Sequence, residues 1–242
     1  MFNFNFDRRT IYIIVFVLLI FTILTMGTDG ILGLLLTLPG VIIAITFHEF
    51  AHAFTAYKLG DDTPRYQGRL NLNPFNHLDP LGFFMLIVAH FGWGRPVEIN
   101  PRNFSGKYSL SASEAIVAVA GPIMNFILSI VFALILGVVV NFAPETFLAS
   151  SVGAVLVSII QYTVIVNVGL GVFNLIPLPP LDGSKVLMHF LPYNGKVWMA
   201  NNEGTFSIIF LLLWITGIAG KVISPIITAI YSGLMYMIYL LF

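Results

Sequence analysis

Long apolar runs separated by short polar stretches set the plan of this chain. Residues 11–26, 31–59, 115–140 and 152–176 are almost continuously apolar, and residues 206–242 hold enough apolar sequence for two more such runs, divided near 217–225. A bilayer core is crossed by about 20 apolar residues in a helix, so the pattern predicts an all-α polytopic membrane protein with about six transmembrane helices. Gly27-Thr28-Asp29-Gly30 is rich in helix breakers and predicts a hairpin between the first two spans. Pro39 and Gly40 predict a kink within the second. Residues 81–93 are apolar over only 13 positions, too short for an upright crossing, and predict a re-entrant or interfacial segment.

The polar stretches carry turn chemistry. Residues 60–80 contain Asp61-Asp62, Asn73-Pro74 and Asp79-Pro80, and the alternation Arg69-Leu70-Asn71-Leu72-Asn73 predicts a short strand, as does Pro96 to Asn100. Ser111-Ala112-Ser113-Glu114 marks a helix start. Pro177, Pro179 and Pro180 end the run at 152–176 by removing backbone donors, and a short helix from Ser184 to Leu191 is expected to follow.

Composition agrees with the membrane reading. Apolar residues make up 58% and charged residues 9%, against about 25% charged in soluble domains. The net charge of +0 offers no basic face for nucleic acid. With no cysteine, disulfides, thiol catalysis and thiolate metal sites are all excluded. Two Arg precede the first apolar run, but no small-residue cleavage site follows, so residues 11–26 are expected to stay as an anchor. If residues 81–93 do not cross, ten of the eleven Lys and Arg fall on one side and only Lys221 on the other. The positive-inside rule then places the N-terminus in the cytoplasm.

Within the second span stands His48-Glu49-Phe50-Ala51-His52. Helical positions four apart share a face, so His48 and His52 can offer imidazoles to one metal while Glu49 projects toward a bound water. With five His and five Glu in the chain, such a match arises by chance in roughly 0.002 of such compositions. Ionisable groups inside a membrane are costly and tend to pair, so the alternative is that the three satisfy one another in a polar cavity. Catalytic zinc takes three protein ligands. Asp182, in the proline-braced turn on the same side, is a candidate for the third; it is also a candidate cap for the helix expected near Ser184. His77, Asp79, His90 and His189 are weaker candidates. The amides Asn125, Gln161, Asn167 and Asn174 lie at depths where hydrogen bonds between helices are the usual role.

Four stretches together resemble one family: His48-Glu49-x-x-His52 in a membrane helix, Asn73-Pro74-x-x-His77-x-Asp79-Pro80-x-Gly82, Gly121-Pro122-x-x-Asn125, and Asn174 through Pro177, Pro179 and Leu181 to Asp182-Gly183. They resemble the site-2 protease family of intramembrane zinc metalloproteases, in a minimal form without a PDZ or CBS domain. The resemblance implies one Zn2+ per chain held by His48, His52 and Asp182, with Glu49 as general base. It also implies Asn174 near the scissile peptide or oxyanion, and Asn125 is a second candidate for binding exposed backbone. Residues 64–74 and 95–100 are expected to hold an extended substrate. On this reading 1–30 is an N-terminal anchor helix, 31–192 the catalytic core and 193–242 the C-terminal helices of a single membrane-embedded domain. The expected partners are the lipid bilayer and a single-span membrane-protein substrate cut near the cytoplasmic face. A competing reading is a membrane transporter that binds a metal in transit through the same His/Asp cluster. The sequence leaves oligomeric state open.

Overall fold

The computed structural model describes residues 8–89 and 92–242. Among them the elements are helical, in the order α1 (Arg8–Lys58), α2 (Thr63–Tyr66), α3 (Pro74–His77), α4 (Pro80–Ala89), a 3-10 turn (Pro101–Asn103), α5 (Leu110–Phe142), α6 (Glu145–Leu148), α7 (Ser151–Asn174), α8 (Asp182–Phe190), α9 (Tyr193–Asn201), α10 (Glu203–Ile215) and α11 (Ile218–Leu241). Four segments are long and apolar enough to cross a membrane: Gly27–Lys58, Leu110–Phe142, Ser151–Asn174 and Ile218–Leu241. The two further crossings read from the sequence correspond to residues 8–26 of α1 and to α10, which at 13 residues is about 20 Å long. At 10 residues, α4 is about 15 Å long, half a bilayer core.

The helix break expected at residues 27–30 falls at Gly27, which divides α1 into two helical segments. Gly27 takes φ 69° and ψ 177°, a region open to glycine, and helix resumes at once. The strand expected at Arg69–Asn73 is absent; among the described residues there is no strand, only an isolated antiparallel bridge between Leu78 and Gly94. Strand alternation needs a neighbouring edge to pair with, and here the asparagine side chains of the stretch are spent on local turns. Asn71 accepts from Asn73 N at 2.8 Å, and Asn73 caps α3 by accepting from Phe75 N at 3.2 Å.

The three helices α1, α5 and α7 pack against one another, with α11 against α7 and α5, and α8 against α5. Small residues line the seams, as expected where close van der Waals packing drives association in lipid. Ala44, Ala51, Ala53 and Ala56 of α1 are buried, as are Ala115, Ala118 and Ala133 of α5. Large apolar side chains point outward instead, including Ile123, Ile127, Ile130 and Val138. One core cluster joins Ala133, Val164, Val168 and Ile238 at the meeting of α5, α7 and α11. Serines set the helix starts: Ser109 accepts from Ala112 N at 3.3 Å and Ser150 from Gly153 N at 3.1 Å. The direction of the chain then decides where the site falls. The C-terminal half of α1, the N-terminal half of α5 and the C-terminal end of α7 all lie at one end of the bundle.

Candidate active site

At that end, three side chains converge. The Nε2 atoms of His48 and His52 lie 3.0 Å apart, and Asp182 Oδ2 sits 3.1 Å from the first and 3.2 Å from the second. Donors bound tetrahedrally at 2.0–2.1 Å to one zinc ion lie about 3.3 Å from each other, so the spacing matches a shared cation. The surroundings dictate which ring nitrogens are free. Asn125 donates from Nδ2 to Ala44 O at 3.1 Å and to Asn167 Oδ1 at 3.0 Å, which leaves its Oδ1 to accept from His48 Nδ1 at 2.7 Å. His52 Nδ1 donates to Val117 O at 2.7 Å. Both Nδ1 atoms are therefore protonated, and both Nε2 lone pairs face the cluster, the outer hydrogen bonding that orients metal-binding histidines.

The residues fit a metal on a further count. Asp182 Oδ2 is buried without a hydrogen-bond donor, which is costly unless a cation completes it. Asp182 does not cap the following helix. That helix begins at Asp182 itself rather than at Ser184, with Leu181 at the cap position and no side-chain cap bond. Gly121 is required on α5, since a Cβ there would fall 2.6 Å from His48 Cε1 and 2.7 Å from His48 Nε2.

Glu49 lies on the same cavity, about 680 Å³ in volume, and its Oε2 accepts from Val97 N at 3.1 Å. One wall of the cavity is a strap, residues 92–101, which contributes Trp93, Gly94, Pro96, Val97, Ile99 and Pro101. Asn174 also lines the cavity, with Nδ2 donating to Leu170 O at 3.1 Å. Asn125 does not; it is 0% exposed, behind His48. The expectation that Asn125 binds exposed substrate backbone therefore gives way to a role toward His48, because its amide is spent on three protein partners. The other candidates for the third ligand stand elsewhere. His77 is buried, with Nε2 donating to Asn71 O at 2.7 Å, and burial lowers its pKa, keeping the ring neutral. Asp79 accepts from Gly82 N at 2.7 Å at the start of α4. His189 pairs with Ser111 at 3.3 Å. His90 lies outside the described residues.

Sequence reasoning missed the carbonyl of Val117, which carries no local signal because it acts only through His52. Gly121 was read as part of a motif, and Arg69 and residues 95–100 as parts of extended segments, but their contacts with the histidines and with Glu49 depend on partners far along the chain. Asn167 was legible as an interhelical amide, and its bond to Asn125 joins α7 to α5.

Two imidazoles on a helix of membrane length and a carboxylate from the short α8 form a group that could hold a metal, with the donor set of hydrolytic zinc sites, in a protein built on membrane-length helices. Residues 36–216 match Peptidase family M50, and the chain belongs to that family. Its relatives carry the same designation, zinc metalloprotease. YwhC of Bacillus subtilis is 39% identical over 78% of this chain and 84% of its own length. Rip2 of Mycolicibacterium smegmatis is 30% identical over 74% of this chain and 66% of its own. MJ0611 of Methanocaldococcus jannaschii is 27% identical over 81% of this chain and 90% of its own. No solved structure matches the chain. The chain is thus an integral membrane zinc metalloprotease of the site-2 protease family, with His48, His52 and Asp182 forming a group that could bind the ion.

Proposed function

We propose that the protein is an intramembrane endopeptidase that hydrolyses peptide bonds in or next to the transmembrane segment of a single-span membrane protein. The observation that carries this reading is the meeting of His48, His52 and Asp182 in a cavity shared with Glu49, at one end of a bundle of membrane-length helices. His48 Nε2, His52 Nε2 and Asp182 Oδ2 would hold the zinc ion. When bound, zinc supplies Lewis acidity, which acidifies water and polarises a peptide carbonyl. Glu49 takes the proton from the attacking water and returns it to the leaving nitrogen. Asn174, on the cavity wall, binds the backbone of the peptide under attack. Asn125 holds His48 in its Nδ1-protonated form. The cavity walls matter because a peptide bond within a helix has its own groups already hydrogen-bonded. The substrate unwinds locally, and the strap at 95–100 and residues 64–74 replace the bonds it loses.

The catalytic core spans residues 31–192, flanked by the anchor 1–30 and the C-terminal helices 193–242. α4 does not cross the bilayer, so that the chain makes six crossings with N-terminus and site toward the cytoplasm. The distribution of Lys and Arg supports that orientation. Purified protein in phospholipid vesicles with a single-span reporter tests the whole reading. Glu49→Gln is expected to keep about one zinc per chain and lose cleavage, while Asp182→Ala loses the zinc. Normal cleavage by Glu49→Gln sinks the proposal.

A further inference from the structure

Glu49 does not stand alone on its helix. Its Oε2 is held by the backbone N–H of Val97, a strap residue, so the aim of the carboxylate depends on where the strap lies. The strap has no helix or strand of its own to stiffen it, and its position comes from bonds to residues 59–78. Arg95 N donates to His77 O at 2.7 Å. Farther along, Asn100 N donates to Asp61 Oδ2 at 2.7 Å.

The centre of that attachment is Arg69. Its guanidinium is buried, 4% exposed for the residue, and it donates to three backbone carbonyls. Nη2 reaches Arg95 O and Pro96 O, both at 2.6 Å, and Nη1 reaches Asn76 O. Two of these carbonyls belong to the peptide units immediately before Val97. A buried cation bonded only to neutral carbonyls is an expensive arrangement, and among the described residues no carboxylate lies within ion-pair distance of it. Lysine cannot reproduce the arrangement, because one ammonium lacks the planar fork that serves several carbonyls at once.

Resting on the proposed role of Glu49, we infer that Arg69 is a positioning residue for the general base: by fixing the carbonyls of Arg95 and Pro96 it sets the Val97 N–H that orients the Glu49 carboxylate. Arg69 is not among the metal donors and does not itself line the cavity. It acts through the Arg95 and Pro96 peptide units and the Val97 hydrogen bond, and its charge also faces the Glu49 carboxylate.

The test is a double-mutant cycle on the full chain in phospholipid vesicles, with a single-span reporter that the wild type cleaves. Arg69→Gln removes the clamp, and Val97→Pro removes the N–H while also fixing φ at that position. Each is expected to lower kcat by about 100-fold, the cost of misplacing a reacting group by about 1 Å, with KM within about 2-fold and zinc content unchanged. Because both act through the same bond, the double variant falls no more than about 2-fold below the weaker single. A structural role without influence on Glu49 predicts losses that multiply, or zinc lost together with activity, and either result overturns the inference. So does an Arg69→Gln variant within about 3-fold of wild type. If Arg69→Gln does not fold, Arg69→Lys replaces it in the cycle with the same expected outcome. Failure of the wild type to cleave any such reporter would instead count against the proposed function and is read out separately.

Discussion

Gly121→Ala places one methyl group against the metal-binding pair, and the size of its effect follows from distance. The new Cβ would meet His52 Nε2 first and would stand 2.6 Å from His48 Cε1, whereas ordinary contact begins at 3.4 Å, so rings and helix must separate by at least 3.4 − 2.6 = 0.8 Å. Little is free to give. His48 is tied to Asn125 at 2.7 Å, and His52 to Val117, four residues before Gly121 on the same helix, also at 2.7 Å. Moving α5 away therefore pulls on both imidazoles. Zinc sites tolerate donor displacements of about 0.2 Å, so a shift four times larger is expected to weaken zinc binding by about 100-fold, or about 2.7 kcal/mol. Chelator competition on the purified protein in detergent measures this directly, with thermal unfolding as a check that the bundle survives. Gly169→Ala is the control: its Cβ would meet only Ile227 Cδ1, at 3.6 Å, and zinc affinity is expected to stay at the wild-type value. Zinc binding by Gly121→Ala within about 3-fold of wild type refutes the argument that α5 must press this closely on the histidines.

Two further outcomes follow from hydrogen bonds around the site. Asn125→Ala deprives His48 Nδ1 of its acceptor and is expected to lower zinc affinity by about 10- to 100-fold, measured by the same competition; unchanged affinity would show that the tautomer is set by something else. Asp61 governs the far end of the strap. Burial opposes its ionisation, but hydrogen bonds from Thr63, Asn100 and Asn103 outweigh this and depress its pKa. A depressed carboxylate stabilises the fold above its unfolded pKa, and that contribution is lost as pH falls through the folded value. Asp61→Asn is therefore expected to lower Tm near pH 7 and to have a Tm that varies less than wild type as the pH falls below 4. Parallel pH curves for the two proteins would contradict the assignment.

What the residue pattern revealed, and what it hid, divides along the range of the interactions. His48 and His52 were legible because their spacing is a property of one helix. Asp182 was legible as a candidate because a proline-rich break beside an apolar run needs a reason. Its competing role as a helix cap could be settled only by the backbone, which starts α8 at Asp182 and leaves the carboxylate uncapped. Asn125 was assigned to the substrate because a buried amide in a motif can face either way, and its direction is fixed by Asn167 and Ala44, 42 and 81 residues away. The strand at 69–73 failed for a related reason. Arg69 points inward as alternation requires, but toward carbonyls of a loop, and no sequence periodicity distinguishes a loop from a sheet edge.

The bond between Asn125 and Asn167 also bears on how the protein is made. An amide buried in hydrocarbon without a partner is unfavourable, and each of these finds the other only when α5 and α7 lie side by side in one register. Until α7 has been inserted, Asn125 can turn to His48 and Ala44 but has no third partner. A chain arrested before residue 151 therefore carries Asn125 beside His48 but lacks both the Asn167 oxygen that receives its amide N–H and the Asp182 carboxylate, so the cluster is complete only when the bundle is.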